Sequence, residues 1–261
     1  MTKRILLTLR FDGTGFYGWQ AQSGGNTIQQ ILQDAVQSVF GERLDISGCG
    51  RTDAGVHAYG YCCHIDIKQD FPVERLANAV NSYFSPRNIK ISVVGAKEVD
   101  NEFHSRYYIK SKEYIYKIQN NKFRDPFYLN RAMHYFKPLD LDKMREAAQY
   151  LTGEHNFASF MADRSDIPIH EAVRTVYKIE INPQILETES GTDLVNIHIS
   201  ASGFLYKMAR IIAGTLVEVS EGKIKAGDLP GIINAKDRSR AGRTLPPRGL
   251  YLNKIEYYDK I

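Results

Sequence analysis

Gly50-Arg51-Thr52-Asp53-Ala54-Gly55-Val56-His57-Ala58, GRTDAGVHA, is the stretch on which the reading of this chain turns. It is a glycine-bounded loop that displays an arginine, a carboxylate and a histidine. One reading is a turn in which Asp53 bonds its own backbone two residues on, as aspartate commonly does. The other is a functional carboxylate, which needs a cation nearby to stay ionised, and Arg51 stands two residues away. Spacing alone favours the turn.

Outward from that loop, the patterning predicts strands and helices in both directions. Arg4–Phe11 alternates as a strand ended by Asp12-Gly13, and Thr27–Phe40 carries apolar residues at helical spacing behind a capping box, Thr27-x-x-Gln30. A strand near Tyr61–Ile67, a helix over Val73–Phe84 and a strand near Ile89–Glu98 follow. Lys112–Gln119 alternates with Tyr114, Tyr116 and Ile118 on one face. Leu141–Leu151 reads as a helix ended by Gly153. Ala172–Asn182 and Leu194–Ala201 read as strands around a polar turn, Glu187–Asp193. Phe204–Glu221 is a long apolar helix, Lys225–Asn234 a shorter one, and Leu250–Tyr257 a last strand. The pattern is that of an α+β protein in two sheet-and-helix halves, divided as residues 1–106 and 107–261.

Composition narrows the class. No apolar run approaches the roughly eighteen residues of a membrane span, and the first residues lack a signal peptide's apolar core. The expectation is a cytoplasmic protein. Three cysteines, two of them adjacent, do not make a disulfide framework, and with no Cys-x-x-Cys and no histidine at ligand spacing no metal is expected. The net charge is +4, but segment 104–131 sums to +5 and segment 236–248 to +4, leaving −5 elsewhere. Clustered basic charge suits a polyanionic partner, though two solvated loops would read the same way.

Gly13-Thr14-Gly15-Phe16-Tyr17-Gly18 matches the dinucleotide-binding pattern after a strand. The context fails. No helix opens there, and the acidic residue expected about twenty positions on would be Asp34, inside the first helix. An aromatic, glycine-rich loop that packs locally or meets something planar is the better reading.

Taken as a whole, GRTDAGVHA resembles the signature of the TruA family of pseudouridine synthases. Further blocks resemble that family in the same order: Phe11–Gln20, Phe103-His104-Ser105-Arg106 with Ser111–Tyr114, Gly153–Phe157, Phe204–Gly214, and Pro246-Pro247-x-Gly249-Leu250. Three positions depart: Asn156 where an aspartate is usual, Tyr61 where a glutamine is common, and Leu245 where a small residue is usual. None touches Asp53.

The resemblance implies a pseudouridine synthase fold, with two similar halves sharing a mixed, mainly antiparallel sheet around a central active-site cleft. It implies conversion of uridine to pseudouridine in the anticodon stem-loop of tRNA, at positions 38, 39 and 40, with no cofactor and as a homodimer. By correspondence Asp53 is the catalytic carboxylate, Tyr114 packs against the target base, Arg210 pairs with the aspartate and Arg51 contacts the RNA. A helical count places Phe204, Leu205, Met208, Ile211, Ile212 and Leu216 on one face with Arg210 opposite, beside Tyr206, Ala213, Gly214 and Val217. The segments Arg106–Arg131 and Arg238–Arg248 would line the tRNA cleft. His57 receives no chemical role.

Two other classes compete. An RNA-binding module without catalysis would carry the same basic segments but leaves Asp53, Arg51, Tyr114 and Arg210 unexplained. A hydrolase of glycosidic bonds needs a second carboxylate, and Asp45 and Asp66 have no place in the motif. Within the family, a paralogue with another position or another RNA stays open.

Overall fold

The computed structural model describes residues 2–163, 165, 167–185 and 193–258. Its strands and helices are, in chain order, β1 (Lys3–Phe11), α1 (Ile28–Phe40), β2 (Ser47–Gly48), β3 (His57–Ile67), α2 (Val73–Phe84), β4 (Ile91–Val99), β5 (Ile109–Asn120), β6 (Met133–Tyr135), α3 (Leu141–Tyr150), β7 (Gly153–Asn156), β8 (Val173–Ile185), β9 (Asp193–Ala201), α4 (Met208–Ser220), α5 (Leu229–Ala235) and β10 (Leu250–Tyr257). They form two compact units, Met1–Lys110 with Tyr251–Ile261, and Ser111–Leu250. The fold is α+β, with mixed, mainly antiparallel strand pairing.

In the first unit β1 lies between β4 and β3, antiparallel to both, and β2 pairs with β3. Alternation in β1 sends Ile5, Leu7 and Leu9 into the core with no exposed surface. α1 buries Ile28, Leu32, Ala35 and Val36, and α2, which packs on β4 and on α1, buries Leu76, Val80 and Phe84. Thr27 caps α1 by accepting the Gln30 amide at 3.4 Å, and Gly41 ends it at φ 74. Leu32 is wholly buried, so its truncation to alanine costs about 2–5 kcal/mol. β3 starts at His57 rather than Tyr61, because His57 and Ala58 pair in parallel with Tyr251 and Leu252 of β10. A partner so distant in sequence leaves no mark on the local pattern.

In the second unit β9 runs antiparallel to β5 and β8, β7 pairs with β8, and β6 joins β5 in parallel. The turn expected over Glu187–Asp193 lies, apart from the backbone of Asp193, outside the described residues. α3 presents Met144, Ala147 and Ala148 to the core. It stops at Tyr150, one residue short of the expected Leu151. Gly153, at φ 112, opens β7.

α4 begins at Met208, not at Phe204, because Lys207 takes left-handed backbone (φ 59) and breaks the expected helix. Of its thirteen residues only Glu218 and Ser220 escape full burial, so it has no solvated face. Glycine makes the neighbouring chain's approach possible: a Cβ on Gly214 would lie 1.8 Å from the Arg243 oxygen, and one on Gly242 would lie 2.6 Å from the Thr215 Cα. The second short helix likewise starts late, after a 3₁₀ turn at Ala226–Asp228, with Pro230 in the first turn of α5.

Candidate active site

The GRTDAGVHA loop joins β2 to β3 and is held from three sides within the first unit. At its entry the Tyr61 hydroxyl donates to the Gly50 oxygen at 2.6 Å, and the Tyr61 ring stacks on Trp19 at 4.1 Å. Tyr61, one of the three departures from the family pattern, thus fastens the start of the loop. In the middle, the Trp19 amide donates to the Thr52 oxygen (3.2 Å) and the Gly55 amide to the Phe16 oxygen (3.3 Å). Gly18 sits at φ 86, where a Cβ would lie 2.4 Å from the Thr52 oxygen and 3.2 Å from the Asp53 carbonyl carbon. The glycines that imitate a dinucleotide fingerprint therefore serve close packing of two loops.

At the exit, His57 accepts the Gly13 amide on Nδ1 at 3.0 Å and stacks on Tyr251 at 4.5 Å. Asp12 Oδ1 lies 3.2 Å from the same Nδ1 and accepts the Thr14 amide at 2.9 Å. A neutral Nδ1 that accepts from Gly13 cannot also donate to Asp12, so the Thr14 amide is the firm partner of that carboxylate. His57 ties the opening loop to the signature loop.

Within this frame Asp53 is half-buried and Arg51 exposed. The Val56 amide donates to the Asp53 main-chain oxygen at 3.2 Å, a bond three residues on between backbone atoms that closes the loop here. Between the two residues, Thr52 Oγ1 is buried with no hydrogen-bond partner among the described residues.

The other two expected residues lie in the second unit. Tyr114, on β5, is half-buried with its ring edge-on to Phe204 at 4.8 Å. Arg210, in the first turn of α4, is 8% exposed and donates from Nε to the Leu245 oxygen at 2.7 Å. Apolar neighbours on its own face already argued against a solvated Arg210, and every side of α4 near it is covered.

Tyr116, expected with the rest of Arg106–Arg131 to line the tRNA cleft, is instead wholly buried. Its hydroxyl donates to the Pro246 oxygen at 2.8 Å, and burial pushes the phenol's pKa well up, against the pull of Arg210 and Arg248. It stays protonated as a donor. Gly249 lies so near that a Cβ there would sit 2.8 Å from the Tyr116 ring. The signal available was the Pro-Pro-x-Gly-Leu block, whose glycine marks that approach.

The two basic segments divide on inspection. Arg243 pairs with Glu221 at 2.7 Å, and Arg238 bonds Thr244 and the Ala241 oxygen within its own loop. Burial would raise the Glu221 pKa, but Arg243, Lys223 and Tyr135 hold it down at about 2. Arg243 braces the segment against the end of α4 and Arg238 braces the loop itself, while Arg240, Lys122, Arg124 and Arg131 remain exposed. Asn156 also has a structural reason: its amide donates to the Ile169 oxygen (2.7 Å) and accepts from the Ala158 amide (3.0 Å), a double role closed to a carboxylate.

The model of the tRNA pseudouridine synthase family matches residues 8–108 and 147–258. The chain belongs to the tRNA pseudouridine synthase family. Relatives named tRNA pseudouridine synthase A align along almost the whole length. That of Thermoanaerobacter sp. (strain X514) is 42% identical over 98% of this chain and 100% of its own. Those of Geobacillus sp. (strain WCH70) and Brevibacillus brevis are each 40% identical, over 99% and 98% of this chain and the whole of theirs. The matched span of this pseudouridine synthase includes the signature loop, Tyr108 and all of α4, and its gap covers β5 and β6. Among the described residues no helix is long and apolar enough to cross a membrane, and no group of three or more His, Cys, Asp or Glu could hold a metal ion.

Proposed function

We propose that this chain isomerises uridine to pseudouridine in tRNA, in the anticodon stem-loop at positions 38, 39 and 40, with Asp53 as the catalytic carboxylate. The observation that carries the reading is an intact GRTDAGVHA loop, braced at its entry, middle and exit, in a chain that aligns end to end with tRNA pseudouridine synthases.

The reaction breaks the N1–C1′ bond of the nucleoside, turns the uracil, and forms a C5–C1′ bond. The hydrogen leaves C5 and N1 gains one, so atoms balance with no oxidant, reductant or cofactor. A carboxylate suits this chemistry because it can form or stabilise a covalent intermediate, splitting one hard step into two. Holding the backbone of Asp53 rigidly supports that role, since a misplaced nucleophile loses most of its advantage.

Tyr114 packs against the displaced base in this reading, as a flipped base requires a wall. Arg210 acts as the cationic partner of the carboxylate, and Arg51 contacts the RNA. The exposed cations of segment 104–131 and Arg240 bind phosphates, and the protein works as a homodimer in the cytoplasm. The test is release of tritium from tRNA carrying C5-tritiated uridine, followed by mapping of the product. Release with pseudouridine in the anticodon arm is expected; release with product elsewhere would overturn the assigned region, and no release from any tRNA would overturn the activity.

A further inference from the structure

Phe16 and Trp19 are buried, at 8% and 2% exposed, yet Tyr17 between them stands 59% exposed. A single exposed aromatic is ordinary. What distinguishes this one is the rigidity of its mount and what the mount touches. The Tyr17 amide donates to the Asn26 oxygen at 2.9 Å, and the Asn26 side chain donates to the Gly15 oxygen at 2.7 Å, so the loop is closed on itself. The preceding carbonyl, of Phe16, takes the Gly55 amide. The next residue, Gly18, is pressed on the backbone of Thr52, Asp53 and Ala54. Tyr17 is thus one Cα–Cα step, about 3.8 Å, from a residue in contact with the Asp53 main chain.

We propose that Tyr17 is an RNA-binding residue: its exposed ring is a platform on which an unpaired base flanking the target uridine stacks while the target is held at Asp53. The proposal rests on the reading that this chain acts on tRNA at Asp53. A tyrosine carries contact area with only two side-chain torsions to order, so a ring on a fixed mount binds at low entropic cost. Stacking on an aromatic face tolerates any base. That tolerance suits an enzyme whose target uridines have different neighbours, where hydrogen-bond readout of the flanking base would restrict it. Arg51, exposed in the loop that Tyr17's segment packs against, supplies the complementary charge for the backbone.

The experiment compares Tyr17→Ala and Tyr17→Phe in two settings. Affinity for an unmodified tRNA transcript is measured in the Asp53→Asn background, and KM and kcat are measured with Asp53 present. Tyr17→Ala should weaken binding and raise KM about ten-fold, with kcat little changed, while Tyr17→Phe binds like the parent. Melting temperature and sedimentation should not move, because the ring is exposed. Unchanged affinity and KM in Tyr17→Ala would overturn the proposal, as would a Tyr17→Phe as weak as Tyr17→Ala, which would assign the effect to the hydroxyl. A change in sedimentation with Tyr17→Ala would assign the ring to a subunit contact and overturn it too. Failure of the underlying reading shows on a different axis, as turnover by Asp53→Asn or none by wild type.

Discussion

Arg210 and Leu245 are clasped in both directions: Arg210 Nε donates to the Leu245 oxygen at 2.7 Å, and the Leu245 amide donates to the Arg210 oxygen at 3.3 Å. The next carbonyl, of Pro246, takes the Tyr116 hydroxyl. One short extended segment therefore orients a buried guanidinium and a buried phenol together. Because the acceptors are main-chain atoms, a leucine at 245 in place of the family's usual small residue does not disturb them.

Replacing Arg210 tests that arrangement. Arg210→Ala should lower tRNA turnover by about a hundred-fold or more, the scale of losing a preorganised charged donor. Arg210→Lys should recover little, since a lysine cannot reproduce the planar fork that reaches Leu245 while pointing elsewhere. Turnover by either variant at the wild-type rate would show that the clasp is structural only.

Tyr61→Phe removes the hydroxyl that holds Gly50 while keeping the ring stacked on Trp19. Loss of one such bond costs about 1 kcal/mol, read as a lower urea midpoint. Turnover should also fall with little change in tRNA affinity, because the loop entry is loosened while the tRNA contacts proposed above stay in place.

Gly18→Ala and Gly24→Ala form a matched pair. Both glycines have positive φ, at 86 and 89, but a Cβ at Gly24 meets nothing within 4 Å, whereas one at Gly18 meets the Thr52 oxygen at 2.4 Å. Gly24→Ala should cost only the left-handed backbone penalty of about 1–2 kcal/mol and keep its activity. Gly18→Ala should be less stable by several-fold that amount and should lose turnover, because relief of the clash moves Asp53. Thermal melts and initial rates on the two proteins separate the outcomes.

How much of this was legible beforehand follows from where each signal lies. α1, α2 and β10 could be bounded to within a residue, since their ends are marked locally by Thr27, Pro72 and Gly249. The signature loop was legible as a unit of nine residues. What escaped depends on partners remote in sequence: the early start of β3 beside β10, the covering of α4 by segment 242–249, and the commitment of Arg243 to Glu221. β6 and β7 are three and four residues long, too short for alternation to show. Arg210 drew its importance from a resemblance, because the face on which the helical count places it is itself mostly apolar and does not mark a charged side chain as functional.

Acid stability should carry the mark of His64. The ring accepts the Ser105 amide at 3.2 Å in a buried site. Burial first, then the charges of Arg4 and His104, push its pKa down to about 4, against a smaller upward pull from Asp66. The unfolded chain, with a value of about 6.5, binds the proton more readily. The stability tied to neutral His64 is therefore complete above about pH 6.5 and is lost as pH falls toward 4. Urea midpoints measured across that window should decline in the wild type and decline less in His64→Gln; parallel curves would contradict the assignment.

The most direct test of the central claim uses Asp53→Asn, which keeps the size of the side chain and removes its charge. Tritium release from C5-tritiated tRNA and affinity for the same tRNA are measured on this variant and on wild type. The account predicts release by wild type only, with the variant binding tRNA as tightly, and affinity falling with added salt in both as phosphate contacts are screened. Asp53→Asn protein that released tritium at the wild-type rate would contradict it.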